Sequence, residues 1–375
     1  MEERPLTAAP ETAKPQETAT GKGKKPRVLW LDAVRLLAML GVLLCHTGAA
    51  LGYPTPVVRA SYSAMVVFLL LGGCTAYLSC RKREALPWWQ GVSPRVFGLL
   101  LPYAVCVAVL LFIKTRRFDL TDYVPALLSF SYSEQFYFVL FFLQLILLSP
   151  LLYRLLRRAN ANKRPWLWRT VVCAAAFVVS VLCQRGTLVM DGVYGAGRML
   201  FGGMYLFCYV LGMALMSGGM PFSTVKKKAV ALPVCAAVFL ALLVVYDRFD
   251  LSLEPAALLG AEGFSPPGLL LTALGTAAFF TLYLLTSLVA EWKPAGEKAC
   301  ALLARGGRCS LYIYLYHLVI YALLYPRLSA VLPLWAQAIV LPACMALVPI
   351  AGKYAWDRLK ALTARLLAPP PPVQQ

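Results

Sequence analysis

The feature that most limits what this chain can become is a succession of apolar stretches, each about as long as a bilayer is thick. Crossing the hydrocarbon core takes about 20 apolar residues in a helix, with roughly 17 to 25 accepted. Ten segments meet that measure, near 28–52, 61–80, 94–113, 136–153, 166–183, 198–217, 229–246, 268–290, 309–325 and 333–352. Hydrophobic residues make up 60% of the 375 positions and charged residues only 14%. A water-soluble fold of that size has no interior large enough to hide so much apolar surface. The expected fold is therefore all-α, a polytopic membrane bundle of about ten transmembrane helices over residues 28–356. Residues 1–27 read as a disordered cytoplasmic tail and 357–375 as a cytoplasmic Pro-rich tail.

The net charge of +19 would suit a nucleic-acid binder if the cations formed one face. Here they stand in short clusters between apolar segments, which is the pattern of membrane topology and argues against nucleic acid. With the N-terminus inside, 27 of the 36 Lys and Arg fall on the cytoplasmic side and eight opposite, with Arg35 inside the first segment. A wrong segment count would scramble that bias, so both termini are expected in the cytoplasm of a multi-pass cell-membrane (plasma or inner membrane) protein. The loop near 247–262 is acidic (Asp247, Asp250, Glu254, Glu262), in keeping with an outer position. The exception is "KTRRF", which puts Lys114, Arg116 and Arg117 outside. Two readings stand: interfacial snorkelling, or an outer site for an anionic acceptor. The N-terminal stretch "MEERPLTAAPETAKPQETATGKGKKP" has no apolar core and does not read as a cleavable signal.

Eleven cysteines show neither a CxxC pair nor metal-ligand spacing, and most lie within apolar runs. They read as small buried hydrophobes. Two histidines, His46 and His317, do not make a metal site. No serine–histidine–carboxylate constellation can be placed, and no internal repeat of the kind seen in secondary transporters is visible.

The first segment, "LDAVRLLAMLGVLLCH", carries an aspartate, an arginine and a histidine. At 100° per residue, Asp32, Arg35, Met39, Val42 and His46 fall within an arc of about 80°. Arg35 and His46 stand roughly three turns, or about 16 Å, apart along the axis. Charged residues in a membrane helix usually face the bundle or an aqueous cavity. Asp32 and Arg35, at i,i+3, have the spacing of a neutralising pair. A neutral imidazole can take a proton from a hydroxyl, as a general base in acyl transfer does. Cys45 as a nucleophile served by His46 is disfavoured, because adjacent helical residues point about 100° apart.

These residues resemble the acyltransferase family 3 integral membrane proteins, which O-acylate cell-surface sugars and related acceptors. The family's opening "LDxxRxxAxxxVxxxH" is met by Leu31, Asp32, Arg35, Ala38, Val42 and His46. Further similar stretches follow in order: "VVFLLLGGCTAYL" (66–78), "SYSEQFYFVLFFLQLILLSPLL" (131–152), "GGMYLFCYVLGMAL" (202–215) and "CSLYIYLYHLVI" (309–320). In the second of these the family's "EEQFY" becomes "SEQFY", so Ser133 stands at the first glutamate and Glu134 at the second. A family Trp in the fourth helix is replaced by Phe142 or a neighbour.

The resemblance implies a standalone O-acyltransferase without a fused extracytoplasmic domain. It would move an acyl group, acetyl in the first instance, from cytoplasmic acyl-CoA to a hydroxyl of an extracytoplasmic or lipid-linked glycan. Acyl-CoA is then a co-substrate and no bound cofactor is expected. Arg35, His46, Glu134 and His317 are the candidate catalytic residues, with Asp32, Tyr137, Arg305 and Arg308 as candidate substrate contacts. Arg35 can pair with a donor phosphate or polarise a thioester carbonyl. The clusters "RKR" (81–83) and "RGGR" (305–308) offer more phosphate contacts or are ordinary topology signals. His317 is a second acid/base or a polar contact within the bundle. The rival class is a transporter or exporter of a cell-surface glycan, using the same polar core as a pathway. The charge bias makes one sidedness prediction: a reporter that works only in the cytoplasm is expected to be active when fused after Gln375 and silent when inserted between 250 and 260.

Overall fold

The computed structural model describes residues 28–130, 132–194, 202–248 and 269–366. The tails 1–27 and 367–375, the acidic residues Asp250, Glu254 and Glu262, and the side chain of Glu134 lie outside the described residues.

Among the described residues the chain is all helix. The elements are α1 (Leu29–Leu51), α2 (Thr55–Lys82), α3 (Trp88–Thr115), α4 (Leu120–Ser129), α5 (Tyr137–Asn160), α6 (Pro165–Tyr194), α7 (Leu206–Ser217), α8 (Val225–Arg248), α9 (Leu269–Glu291), α10 (Pro294–Gly307), α11 (Ser310–Val331) and α12 (Leu334–Leu366). Short 3₁₀ turns, Glu134–Phe136 and Gly202–Tyr205, lead into α5 and α7. Nine of the described helices (α1, α2, α3, α5, α6, α8, α9, α11 and α12) are long and apolar enough to cross a membrane. Their outer faces stay apolar and exposed, as with Phe97, Leu101, Val105 and Phe112 on α3 and Val230, Val234 and Val238 on α8. A patch that large suits lipid and not water.

The segment expected at 198–217 differs from the others. Its described apolar helix is Gly202–Ser217, shorter than a full crossing. Within it, side chains from neighbouring helices accept from two backbone N–H groups. The Gln144 amide oxygen accepts from the Gly202 N–H, and Ser180 Oγ accepts from the Phe207 N–H at 3.0 Å.

On α12 the exposed rings of Trp335 and Trp356 are separated by about 31 Å of helix. That matches the hydrocarbon thickness between two interfacial aromatic belts. The helix continues to Leu366, so the boundary expected at 356 falls within it.

α2 is the centre of the bundle, and its tightest crossing is with α7. A Cβ on Gly73 would lie 2.0 Å from the Tyr209 carbonyl oxygen, and one on Gly212 would lie 2.1 Å from that of Leu70. The two backbones therefore touch, which is how small residues let membrane helices pack without a hydrophobic driving force. Around that contact Val66, Leu69, Leu70, Cys74, Tyr205, Tyr209 and Met213 are buried.

Five helices then close a ring: α1 packs on α2, α2 on α5, α5 on α3, α3 on α11, and α11 on α1. Ion pairs secure helix ends around it, Arg59 with Asp247 at 3.2 Å, Lys228 with Glu291 and Arg157 with Glu84. The α2–α7 contact makes a prediction. Gly73→Ala forces the backbones apart and is expected to cost at least the ~1–3 kcal/mol of an overpacked core. Thermal unfolding in detergent should show a lowered midpoint, whereas Gly352→Ala, whose Cβ would meet nothing within 4 Å, should not.

Candidate active site

The ring encloses a cavity of about 750 Å³. Arg35, Val42, Cys45 and His46 of α1 form one wall, and residues from Ser61 to Thr75 of α2 form the next. Arg95, Gly98 and Leu99 of α3, Gln135 and Tyr137–Ile146 around the start of α5, and Arg308–Tyr314 around the start of α11 complete it, with Leu271 of α9.

The polar groups gather at two ends. Helix register sorts them: Arg35 of α1, Thr75 late in α2, Arg95 early in α3 and Arg308 beside the Gly307–Asp32 contact stand at one end, with Cys45, His46, Ser61, Tyr62, Gln135 and Tyr137 towards the other. Between them the walls are apolar, with Val42, Phe68, Phe138, Phe142 and Leu311.

The first end is rich in cations. Asp32 and Arg35 form an ion pair at 2.6 Å on one face of α1. Arg95 is held by neutral hydroxyls, donating to Ser149 Oγ and to Tyr209 OH at 3.2 Å each. Ser149 Oγ in turn donates to the Leu145 carbonyl at 2.8 Å. Among the described residues no carboxylate pairs with Arg95 or Arg308. Three guanidinium groups and one carboxylate leave a net positive end, suited to a phosphorylated or otherwise anionic group.

Arg308 reaches this end because α10 meets α1 backbone to backbone. A Cβ on Gly307 would lie 1.7 Å from the Asp32 carbonyl oxygen. Any side chain there would push Arg308 away from Arg35.

The second end is built around His46, which is exposed to the cavity. Behind it, His317 of α11 is fully buried, with ring centroids 4.9 Å apart and planes tilted by 50°. The "SEQFY" segment is locked against α11 by several bonds. The Tyr314 hydroxyl donates to the Gln135 carbonyl. Gln135 Nε2 donates to the Leu315 carbonyl at 3.2 Å, and Ser133 Oγ donates to Gln135 Oε1 at 2.6 Å. Phe136, fully buried, packs edge-on against Tyr103 with centroids 5.0 Å apart.

Four of the eight residues singled out from the sequence, Arg35, His46, Tyr137 and Arg308, line the cavity. Asp32 grips Arg35, and His317 lies behind His46. Arg305 is exposed on α10 and does not line the cavity. The backbone of Glu134 opens the 3₁₀ turn. Lys114 of "KTRRF" lies 4.4 Å over the Tyr132 ring, beside the segment that carries Gln135 and Tyr137, but outside the cavity lining.

Arg95, Gln135 and Tyr314 were missed. Arg95 reads in sequence as a cation at the very edge of the third segment, counted with the basic loop before it, and its place seven residues into α3 distinguishes it. Gln135 and Tyr314 sit inside the very motifs quoted above, yet side chains of their type carry no spacing signal.

A ring of membrane helices around a cavity lined by guanidinium groups and an imidazole defines the class: a multi-pass membrane protein with a polar cavity inside its helix bundle. The family model described as an acyltransferase domain matches residues 28–352, and the chain belongs to this acyltransferase family. No curated protein and no solved structure matches it. Membership makes the protein a membrane acyltransferase.

The cavity makes a labelling prediction. Cys45 lines it, whereas Cys74, Cys106 and Cys208 are buried in the packing. In intact membranes a small water-soluble methanethiosulfonate reagent is expected to modify Cys45 and leave those three untouched, as read by peptide mass spectrometry. Modification of the three without Cys45 would deny a hydrated passage.

Proposed function

We propose that the protein moves an acyl group, acetyl in the simplest case, from cytoplasmic acyl-CoA to a hydroxyl of an extracytoplasmic or lipid-linked glycan. The observation that carries this reading is the single cavity holding both Arg35 and His46. A coenzyme A thioester is phosphorylated at one end and carries its reactive carbonyl at the other, joined by a narrow flexible arm. The cavity has the same order: guanidinium groups, an apolar middle, and an imidazole about 16 Å from Arg35.

In this reading Arg35, Arg95 and Arg308 hold the donor's phosphates through charge-assisted bonds. Asp32 keeps the Arg35 fork turned to the cavity. The apolar walls of Phe68, Phe138 and Phe142 take the arm. His46 removes the proton of the acceptor hydroxyl as its oxygen attacks the thioester carbonyl; the carbon–sulfur bond breaks, and the proton passes to the departing thiolate. The cationic end faces the cytoplasm and the His46 end faces out, in a cell-membrane protein with both termini inside. That orientation puts the donor phosphates on the side where acyl-CoA is made.

The test is transfer from radiolabelled acetyl-CoA by protein in nanodiscs, with a membrane glycan fraction as acceptor. His46→Ala is expected to lower kcat by about 10²- to 10⁴-fold. Arg308→Ala and Arg95→Ala are expected to raise KM for acetyl-CoA by about 10-fold or more, the loss of one charge-assisted bond. They should have little effect on the KM of a short thioester that lacks the phosphates. Equal silence of all variants and wild type, with surface glycan export still dependent on the protein, would instead favour a conduit.

A further inference from the structure

We propose that His317 is a positioning residue for His46: its Nε2 accepts the ring N–H that His46 turns away from the cavity. It thereby fixes the His46 tautomer and steadies the imidazolium that forms during transfer. The inference rests on the transferase reading above.

The His317 tautomer follows from one contact. Nδ1 lies 2.6 Å from the Tyr314 carbonyl oxygen. A carbonyl can only accept, so Nδ1 carries the hydrogen and Nε2 of the neutral ring is left as a bare acceptor. The Tyr314 side chain is itself anchored by its hydroxyl on the Gln135 carbonyl. The His317 ring is fully buried, and Nε2 has no hydrogen-bond partner among the described residues.

A buried acceptor without a donor is costly, and native folds seldom keep one without a use. Beside it stands the His46 ring, at 4.9 Å between centroids. At that separation a reorientation of the His46 ring brings a ring N–H within hydrogen-bond reach of Nε2.

The choice of imidazole as the partner has a physical reason. A carboxylate at that depth would be a buried charge needing its own compensation. A neutral acceptor orients His46 without adding one. His317 exchanges no proton in this scheme. The proton from the acceptor hydroxyl enters and leaves His46 on its cavity-facing nitrogen, while the opposite N–H stays on His46, bonded to His317.

The chain has two histidines, so ¹⁵N-imidazole labelling yields two ring systems that a single variant assigns. In nanodiscs the expected spectrum has His317 as the Nδ1–H tautomer, with an Nε2 resonance that moves when His46→Ala is introduced. An Nε2–H tautomer, or an Nε2 resonance indifferent to His46→Ala, overturns the proposal. Kinetics supply the second arm. His317→Gln keeps an acceptor where Nε2 stands, and His317→Asn keeps only the donor to Tyr314. Gln is expected to stay within about 10-fold of wild-type kcat and Asn to fall about 100-fold, both with KM for acetyl-CoA unchanged. Rescue by Asn and not by Gln would mean that the ring serves the Tyr314 carbonyl alone, and the proposal fails. An inactive wild type with the expected tautomer and the His46-dependent resonance would sink the transferase reading while upholding the histidine pair.

Discussion

An ionised or strongly polar side chain in hydrocarbon has nowhere to go but inward, and the architecture follows from that constraint. Asp32 and Arg35 neutralise each other at 2.6 Å. Arg95 spreads its charge over the hydroxyls of Ser149 and Tyr209, and His46 faces a cavity instead of lipid. The five-helix ring is the arrangement that lets Arg35 and His46 of α1 and Arg95 of α3 line one cavity, while Phe97, Leu101 and their like face outward.

Backbone contact at glycine sets where the walls stand. Gly73 and Gly212 let α2 and α7 touch, which anchors α2 as the central wall. Gly307 seats α10 on the Asp32 backbone and so delivers Arg308 beside Arg35. The polar interiors of the walls are then tied by side-chain bonds, most clearly where Tyr314, Gln135 and Ser133 lock the "SEQFY" turn to α11. Placement of this kind matters for chemistry, because a group held in position before the reaction need not be ordered during it.

The cavity's division of labour is also a division of polarity. Cations at one end favour an anionic ligand, aromatic and aliphatic walls accept an uncharged chain, and the imidazole end offers proton transfer. A membrane acyltransferase must bring a donor and an acceptor together without opening a leak between two aqueous spaces. The apolar side chains of Val42, Phe68, Phe138, Phe142 and Leu311 stand among the polar groups of the cavity wall.

Much of this was legible in one dimension. Segment lengths and the basic bias of alternate loops pointed to a bundle of about ten helices, because hydropathy and charge sidedness are local properties of the chain. The Arg35–His46 stripe was readable because α-helical periodicity alone puts both residues on one face. Other features depend on which helix packs on which. Arg305 and Arg308 are equivalent in sequence, yet the Gly307 contact turns only Arg308 into the cavity. Arg95 passes in sequence for a topology signal and becomes part of the chamber only when α3 closes the ring between α5 and α11. His317 is recognisable as a motif histidine, but its depth and its place behind His46 arise from contacts between α1, α11 and the turn before α5. The sequence by itself determined the spans and the polar face of the first helix; the tertiary structure decided which of the remaining polar residues meet there, since convergence between distant segments depends on interhelical packing and leaves no period in the chain.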